Sequence, residues 1–186
     1  MSKAIDDLKH EHGAILFALQ ILEGMNRELA TKRRIDVTDV SDFLAFLKEF
    51  ADKCHHGKEE GFLFPALIKA GLSESQGPVA VMLSEHAKGR ERIQAMETAI
   101  FPVPKPDEFQ AAAKGYADLL RAHIEKENTI LFPVAEQVLS TTQLDELYDS
   151  FEEHESSVVG PGRHEQLHDL LKKLMAKYAP ANPSVV

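Results

Sequence analysis

The stretch 51-ADKCHHGKEEGFLFPALIKAG-71 sets two histidines, His55 and His56, one helical turn ahead of two carboxylates, Glu59 and Glu60. Residues four apart on an α-helix share a face, so His55 points with Glu59 and His56 with Glu60. A His-x-x-x-Glu pair brings an imidazole nitrogen and a carboxylate to a common point, which is half of a metal site. The word returns 68 residues later as 123-HIEKENTILFPVAEQV-138. Aligned on Leu-Phe-Pro, His55 falls on His123, Lys58 on Lys126, Glu59 on Glu127, and Leu63-Phe64-Pro65 on Leu131-Phe132-Pro133. Two copies in one small chain predict two facing half-sites, the plan of helix bundles that hold two metal ions.

The second copy lies on the cleanest amphipathic segment. Ala112, Tyr116, Leu119, Leu120, His123, Glu127, Ile130, Val134 and Val138 form one broad stripe at helical spacing. Glu127 is thus a carboxylate on a core face, costly to bury unless it is paired or bound to metal. No lysine or arginine shares its stripe. A first helix, from about Ser2 to Ala30, carries Ile5, Leu8, Ile15, Leu16, Leu19 and Leu22, with His12 pointing inward among them. A second is expected to start at Thr38 or Asp39, to bury Phe43, Phe46, Leu47 and Phe50, and to end near Gly71. Pro65 inside it should kink or restart it. A third buries Val79, Met82, Leu83, Ile93 and Met96, with His86 on the same stripe and Arg90 one turn on.

Helical phase conflicts with the repeat in the second helix. Extending an ideal helix from Phe43 and Phe50 turns His55 and His56 off the core face to opposite sides, and it slightly favours His56 with Glu60. The repeat favours His55 with Glu59. A single π-bulge between Phe50 and His55 would reconcile the two, since such bulges gather at functional sites.

The expected fold is all-α: an antiparallel up-down four-helix bundle over residues 1–139, with two additional C-terminal helices and a loose tail in 140–186. Leu144, Leu147, Tyr148 and Phe151 mark one extra helix, and Leu167, Leu170, Leu171 and Leu174 the other. At 186 residues the chain is long enough for one sizeable core. The net charge of −9 excludes a nucleic-acid or anionic-membrane partner as the leading reading, and Lys32-Arg33-Arg34 is too short a basic run to reverse it. A single cysteine, Cys54, rules out an internal disulfide and a Cys-rich zinc site. No secretory signal is apparent at the start, and no apolar run approaches the roughly 18 residues of a membrane span. The expectation is a cytoplasmic protein, monomer or homodimer.

The proposed metal ligands are His12, His55, Glu59, His86, His123 and Glu127. Imidazole and carboxylate without thiolate suit iron, manganese or zinc. The motifs Glu11-His12-Gly, His55-His-Gly-Lys-Glu-Glu, Glu85-His86-Ala-Lys-Gly-Arg90 and His123-Ile-Glu-Lys-Glu-Asn resemble those of the hemerythrin-like, or HHE cation-binding, proteins, over about residues 5–139. That resemblance implies two iron ions in a non-haem, oxo- or hydroxo-bridged di-iron centre, with Glu59 and Glu127 as bridges. Zinc or manganese is the alternative metal. It implies a small-molecule partner such as oxygen, peroxide or nitric oxide, in a sensing, storage or detoxifying role. The chain departs from the oxygen carriers at Arg90, where they have a second histidine, and an arginine does not ligate iron. His56 is the candidate to fill that position. The alternative function is an iron- or zinc-sensing or storage module without redox chemistry.

One further motif competes. His164-Glu165-Gln-Leu-His168 matches His-Glu-x-x-His, the zinc-protease word, but lies outside the bundle with no third ligand beyond His154. An amphipathic surface helix accounts for it. His10 and His154 read as surface residues or as residues just behind the ligands, and Glu11 and Glu85 as carboxylates that orient the histidine ligands.

Overall fold

A computed structural model describes residues 2–32, 34–160 and 162–178. The expected tail, Arg33 of the basic run and Pro161 lie outside the described residues. Those residues form six helical rods and no strand. They are α1 (Lys3–Lys32), α2 (continuous over 37–69), α3 (Gly77–Ile100), α4 (continuous over 106–138), α5 (Thr141–Val158) and α6 (Arg163–Tyr178). Helix α1 packs on α4, α4 on α3, α3 on α2, and α2 on α1, while α5 and α6 both lie against α1 and α2. No described helix is long and apolar enough to cross a membrane.

Local chemistry fixes the ends of the rods. The Ser2 hydroxyl accepts the Ile5 N–H at 3.3 Å, and the Ser2 N–H donates to Glu136 Oε1 at 2.8 Å, tying the start of α1 to the end of α4. Helix α2 is capped by Asp36, which accepts the Thr38 N–H at 3.0 Å, rather than by Thr38 or Asp39. Asp39 is buried and used otherwise: it accepts the Tyr178 hydroxyl at 2.7 Å and pairs with Lys177, which fastens the end of α6. Ser140 and Gln143 form a reciprocal capping box at the start of α5.

Both long rods change pitch where they carry the repeated word. In α2 the turns over Leu47–His56 and again over Glu59–Leu63 are π-helical. In α4 the matching turn Glu127–Leu131 is π-helical too. The expected single bulge is therefore part of a ten-residue run, and two more wide turns accompany it. The wide turns also resolve the two prolines. Pro65 and Pro133 each stand in the first turn of the α segment that follows a π turn, where a missing N–H costs least.

The apolar core is split in two. One cluster, including Leu19, Phe43, Phe46, Ile93, Phe109 and Leu174, fills one end of the molecule. The other, including Ile5, Leu63, Phe64, Met82, Phe132 and Phe151, fills the opposite end. The inward histidines and glutamates lie in sequence between members of the two clusters on every rod. Helix α6 contributes Leu167, Leu171 and Leu174 to the first cluster, and α5 contributes Leu144, Leu147 and Phe151 to the second.

Two glycines mark how closely α5 and α6 approach. A methyl group at Gly24 of α1 would lie 1.9 Å from the Tyr178 carbonyl oxygen, and one at Gly57 of α2 would lie 2.5 Å from His154 Nε2. By contrast, Gly13 of α1 has open space around its Cβ position. Gly24→Ala should therefore lower stability by about 1–3 kcal/mol, because helix backbone must move. Gly13→Ala should raise it by about 1 kcal/mol through helix propensity. Urea unfolding of both variants checks this, and a Gly24→Ala midpoint equal to wild type would mean that α6 does not dock there.

Candidate metal centre

Between the two apolar clusters lie five buried histidines and two buried glutamates: His12, His55, His56, His86, His123, Glu59 and Glu127. All seven residues singled out from the sequence meet there. They form two groups whose ligand atoms lie within 4.8 Å of one another: His56, Glu59, His86 and His123, and His12, His55, Glu59 and Glu127. Glu59 belongs to both. Its Oε2 faces His86 Nε2 at 3.3 Å and its Oε1 faces His55 Nε2 at 3.9 Å. Glu127 is divided in the same manner, with Oε1 3.1 Å from His123 Nε2 and Oε2 3.1 Å from His12 Nε2.

The outer nitrogen of each ring is held by an oxygen. His55 Nδ1 lies 2.8 Å from Glu11, His123 Nδ1 3.1 Å from Glu85, and His86 Nδ1 2.7 Å from Glu60. His12 Nδ1 lies 3.1 Å from Asn128 Oδ1, and His56 Nδ1 3.4 Å from Asp52. These oxygens only accept, so each Nδ1 carries a proton and a ring in its neutral form turns a lone pair inward from Nε2. With all five rings neutral, the interior thus collects imidazole nitrogens and carboxylate oxygens as acceptors, and the His86 and His123 Nε2 atoms, 3.2 Å apart, share a hydrogen bond only when one of them takes up a second proton. Among the described residues, the Nε2 atoms of His12, His55 and His56 and all four oxygens of Glu59 and Glu127 lack a well-directed hydrogen bond. Close approaches such as His12 to Glu127 have ion-pair distance without hydrogen-bond alignment, because these atoms aim at common points rather than at each other. Buried acceptors in this number need cations. Imidazole nitrogen and carboxylate oxygen suit iron, manganese or zinc, so the residues present fit the metal that their pattern implies.

The repeat is also a repeat in space. Glu11 holds His55 as Glu85 holds His123. Lys58 pairs with Glu11 as Lys126 pairs with Glu85. Phe132 stacks on His12 with ring centroids 5.4 Å apart, and Phe64 stacks on His86 at 5.7 Å. Asn128 and Glu60, each one residue after its glutamate, orient the histidines of α1 and α3.

Sequence reasoning posed His55 with Glu59 against His56 with Glu60, and the structure divides them differently. Both histidines face inward, because the run of π turns changes the phase of α2 before them. Glu59 joins the cluster, whereas Glu60 points outward to His86 Nδ1 and Arg90. Sequence reasoning missed Asp52 and Asn128, which no periodicity marks. It also missed the role of Lys58, although the repeat had paired Lys58 with Lys126. Lys58 is fully buried, with its ammonium 2.8 Å from each of Asp7, Glu11 and Glu155. Burial opposes that charge, but Glu11, Asp7 and Glu155 outweigh it and raise its pKa above the usual lysine value. A third group that could hold a metal, Glu11, Cys54 and Glu155, adjoins this ammonium, which already neutralises two of its members.

The C-terminal His-Glu-x-x-His motif stands apart. His164, Glu165 and His168 are exposed on α6, the two rings lie 6.3 Å apart, and His164 pairs with Glu155 at 3.2 Å. They belong to no metal-capable group among the described residues. His10 is exposed on α1, and His154 Nε2 lies 2.9 Å from the Lys53 carbonyl.

Without metal the cluster redistributes protons. Burial drives the His55 and His56 pKa values down to about 3. His86 rises to about 9: burial opposes this, but the carboxylates of Glu59 and Glu60 beside its two nitrogens prevail. Burial likewise opposes the charge on Glu127, yet His12 and His123 hold it well below the usual carboxylate range. A proton on His86 Nε2, facing Glu59, thus stands where a metal cation would.

Comparison with known proteins gives a consistent picture. The family model for the hemerythrin HHE cation binding domain matches residues 3–135. The Mycobacterium bovis protein Mb2018 and the Mycobacterium tuberculosis protein Rv1995 are each 25% identical over 171 residues, which is 89% of this chain and 66% of theirs. The iron-sulfur cluster repair protein YtfE of Escherichia coli O81 is 39% identical over 89 residues, 44% of this chain and 40% of its own. The chain therefore spans just under two thirds of the mycobacterial relatives and less than half of the Escherichia coli one. No solved structure gives a significant match.

The proton balance sets a pH dependence for the metal-free protein. His86 binds its proton more tightly folded than unfolded, so its contribution is full below pH 6.5 and is lost as pH rises through about 9. His55 and His56 bind theirs less tightly folded, so their contribution is full above pH 6.5 and is lost as pH falls toward 3. Chelated protein should be most resistant to urea near pH 6.5, and metal-loaded protein should keep its resistance on the alkaline side. A urea midpoint for the chelated protein that stays level from pH 6.5 to 9 would refute this.

Proposed function

The chain belongs to the hemerythrin HHE cation-binding family, and from that premise we propose that it is a non-haem di-iron protein that binds or reacts with a small oxidant. The division of Glu59 and Glu127 between two histidine groups carries this reading. Two buried carboxylates, each with one oxygen toward each group, are placed to be shared by two cations, and a single ion would leave acceptors of the other group unmatched. In this reading α1 to α4 form an up-down four-helix bundle over residues 1–139. Within the second segment, 140–186, helices α5 and α6 brace α1 and α2. His56, His86 and His123 serve one metal position, and His12 and His55 the other.

When bound, iron would supply the electrons for reaction with oxygen, peroxide or nitric oxide. The chain's own residues do the rest. Five Nδ1 contacts fix each ring and raise its basicity. Phe132 and Phe64, both of the second apolar cluster, lay aromatic faces against His12 and His86 on that side of the polar layer. The name of the Escherichia coli relative supports a second reading, in which the centre gives or takes iron rather than transforming an oxidant. A metal-sensing or storage module without redox chemistry is the further alternative.

Metal analysis and optical spectra of protein purified without a metal-binding tag test the proposal. Two irons per chain with near-ultraviolet charge-transfer absorption are expected. One zinc and no visible absorbance would favour the sensing or storage module. Glu127→Ala should lose metal and Glu165→Ala should not. His55→Ala should lose more iron than His56→Ala, because it leaves its group with one imidazole whereas His56→Ala leaves two. Equal metal content in Glu127→Ala and Glu165→Ala would overturn the assignment to this cluster.

A further inference from the structure

The twofold pattern of the centre is broken at one place. Matching the two halves pairs Asp52 with Leu120, His56 with Ile124, Glu60 with Asn128, and Arg90 with Leu16. One half therefore carries a charged cap where the other carries apolar residues and a neutral amide. Arg90 is the keystone of that cap. Its Nε lies 2.8 Å and its Nη2 2.7 Å from Asp52 Oδ1, and the same Nη2 lies 2.8 Å from Glu60 Oε1. Those two oxygens are the ones that accept from His56 Nδ1 and His86 Nδ1. The two rings are stacked, with centroids 3.8 Å apart and planes 18° from parallel.

A carboxylate that accepts from a ligand histidine pushes electron density toward the metal through the ring. An arginine on the same oxygen draws that density away, since charge-assisted bonds compete for one acceptor. We infer that Arg90 is a positioning residue that, through Asp52 and Glu60, limits the donor strength of His56 and His86 and so favours the reduced state of the metal position they serve. This rests on the two-iron reading above. Among the described residues none plays that part for His12, whose Nδ1 meets the Asn128 amide, so the two positions differ in potential by construction of the chain. Arg90 therefore has a task of its own at the place where oxygen-carrying relatives have a ligand. Its side chain is 42% exposed, so replacing it need not unfold the protein.

The test is a redox titration of the iron-loaded protein, followed by optical and electron paramagnetic resonance spectra. It compares wild type with Arg90→Gln, Arg90→Lys and Glu60→Gln. Arg90→Gln should favour the ferric state of one iron about tenfold, about 59 mV lower for one electron, with the other iron unmoved. Glu60→Gln puts a neutral amide on His86, as Asn128 is on His12, and should shift the same iron the opposite way. Arg90→Lys, which keeps the charge, should stay near wild type. A merely structural role would shift Arg90→Gln and Glu60→Gln in one direction, and that result overturns the inference. So does an unshifted Arg90→Gln that holds two irons. If Arg90→Gln loses iron, Arg90→Lys decides: retention of both irons at wild-type potential supports the inference, and loss of iron there overturns it. Fewer than two irons in wild type would bring down the two-iron reading itself, and the inference with it.

Discussion

The structure depends on one constraint: imidazole nitrogens and carboxylate oxygens converge in a buried space where, with the rings neutral, all of them are acceptors. Such a group of acceptors is repulsive in a dry interior unless cations occupy it. Much else follows from meeting that condition. Every Nδ1 has an oxygen outside it, so the lone pairs stay inward. The histidines of α1 and α3 have an aromatic face against them. The apolar core is split into two clusters, so that the polar layer is sealed from both ends.

The constraint is met twice over, by two halves with the same logic. In each half a glutamate that precedes one histidine orients the histidine of the partner rod, and a lysine three residues after that second histidine holds the glutamate. The π turns belong to this logic. A π turn re-phases a rod without breaking it. One lies after each repeated His-x-x-x-Glu word. The additional run in α2 accompanies the two consecutive histidines, which a regular α-helix would point in divergent directions.

Much of this was legible in the sequence because it is periodic. The repeated word, the apolar stripes and the carboxylate at Glu127 all announce themselves by spacing, and together they name six of the seven clustered residues, His56 entering only through the family resemblance. What was not legible has no period. The choice between the His55 and His56 registers depended on pitch changes that arise from packing, so neither ideal phase nor the repeat could describe α2 alone. Asp36 rather than Thr38 caps that rod because Asp39 is taken by Tyr178, 139 residues away. The contacts of Arg90, Asp52 and Asn128 join different rods, and side chains that meet only after folding leave no local signal.

Lys58 shows how far the C-terminal helices take part. Its ammonium links Asp7 of α1 and Glu155 of α5 to Glu11, which holds His55. The side chain has 0% exposure. A lysine so enclosed is shielded from the acyl and methyl donors that modify lysines on protein surfaces. While α5 stays in place, the positive charge beside Glu11 is beyond the reach of covalent regulation, and the outlying lysines alone are open to it.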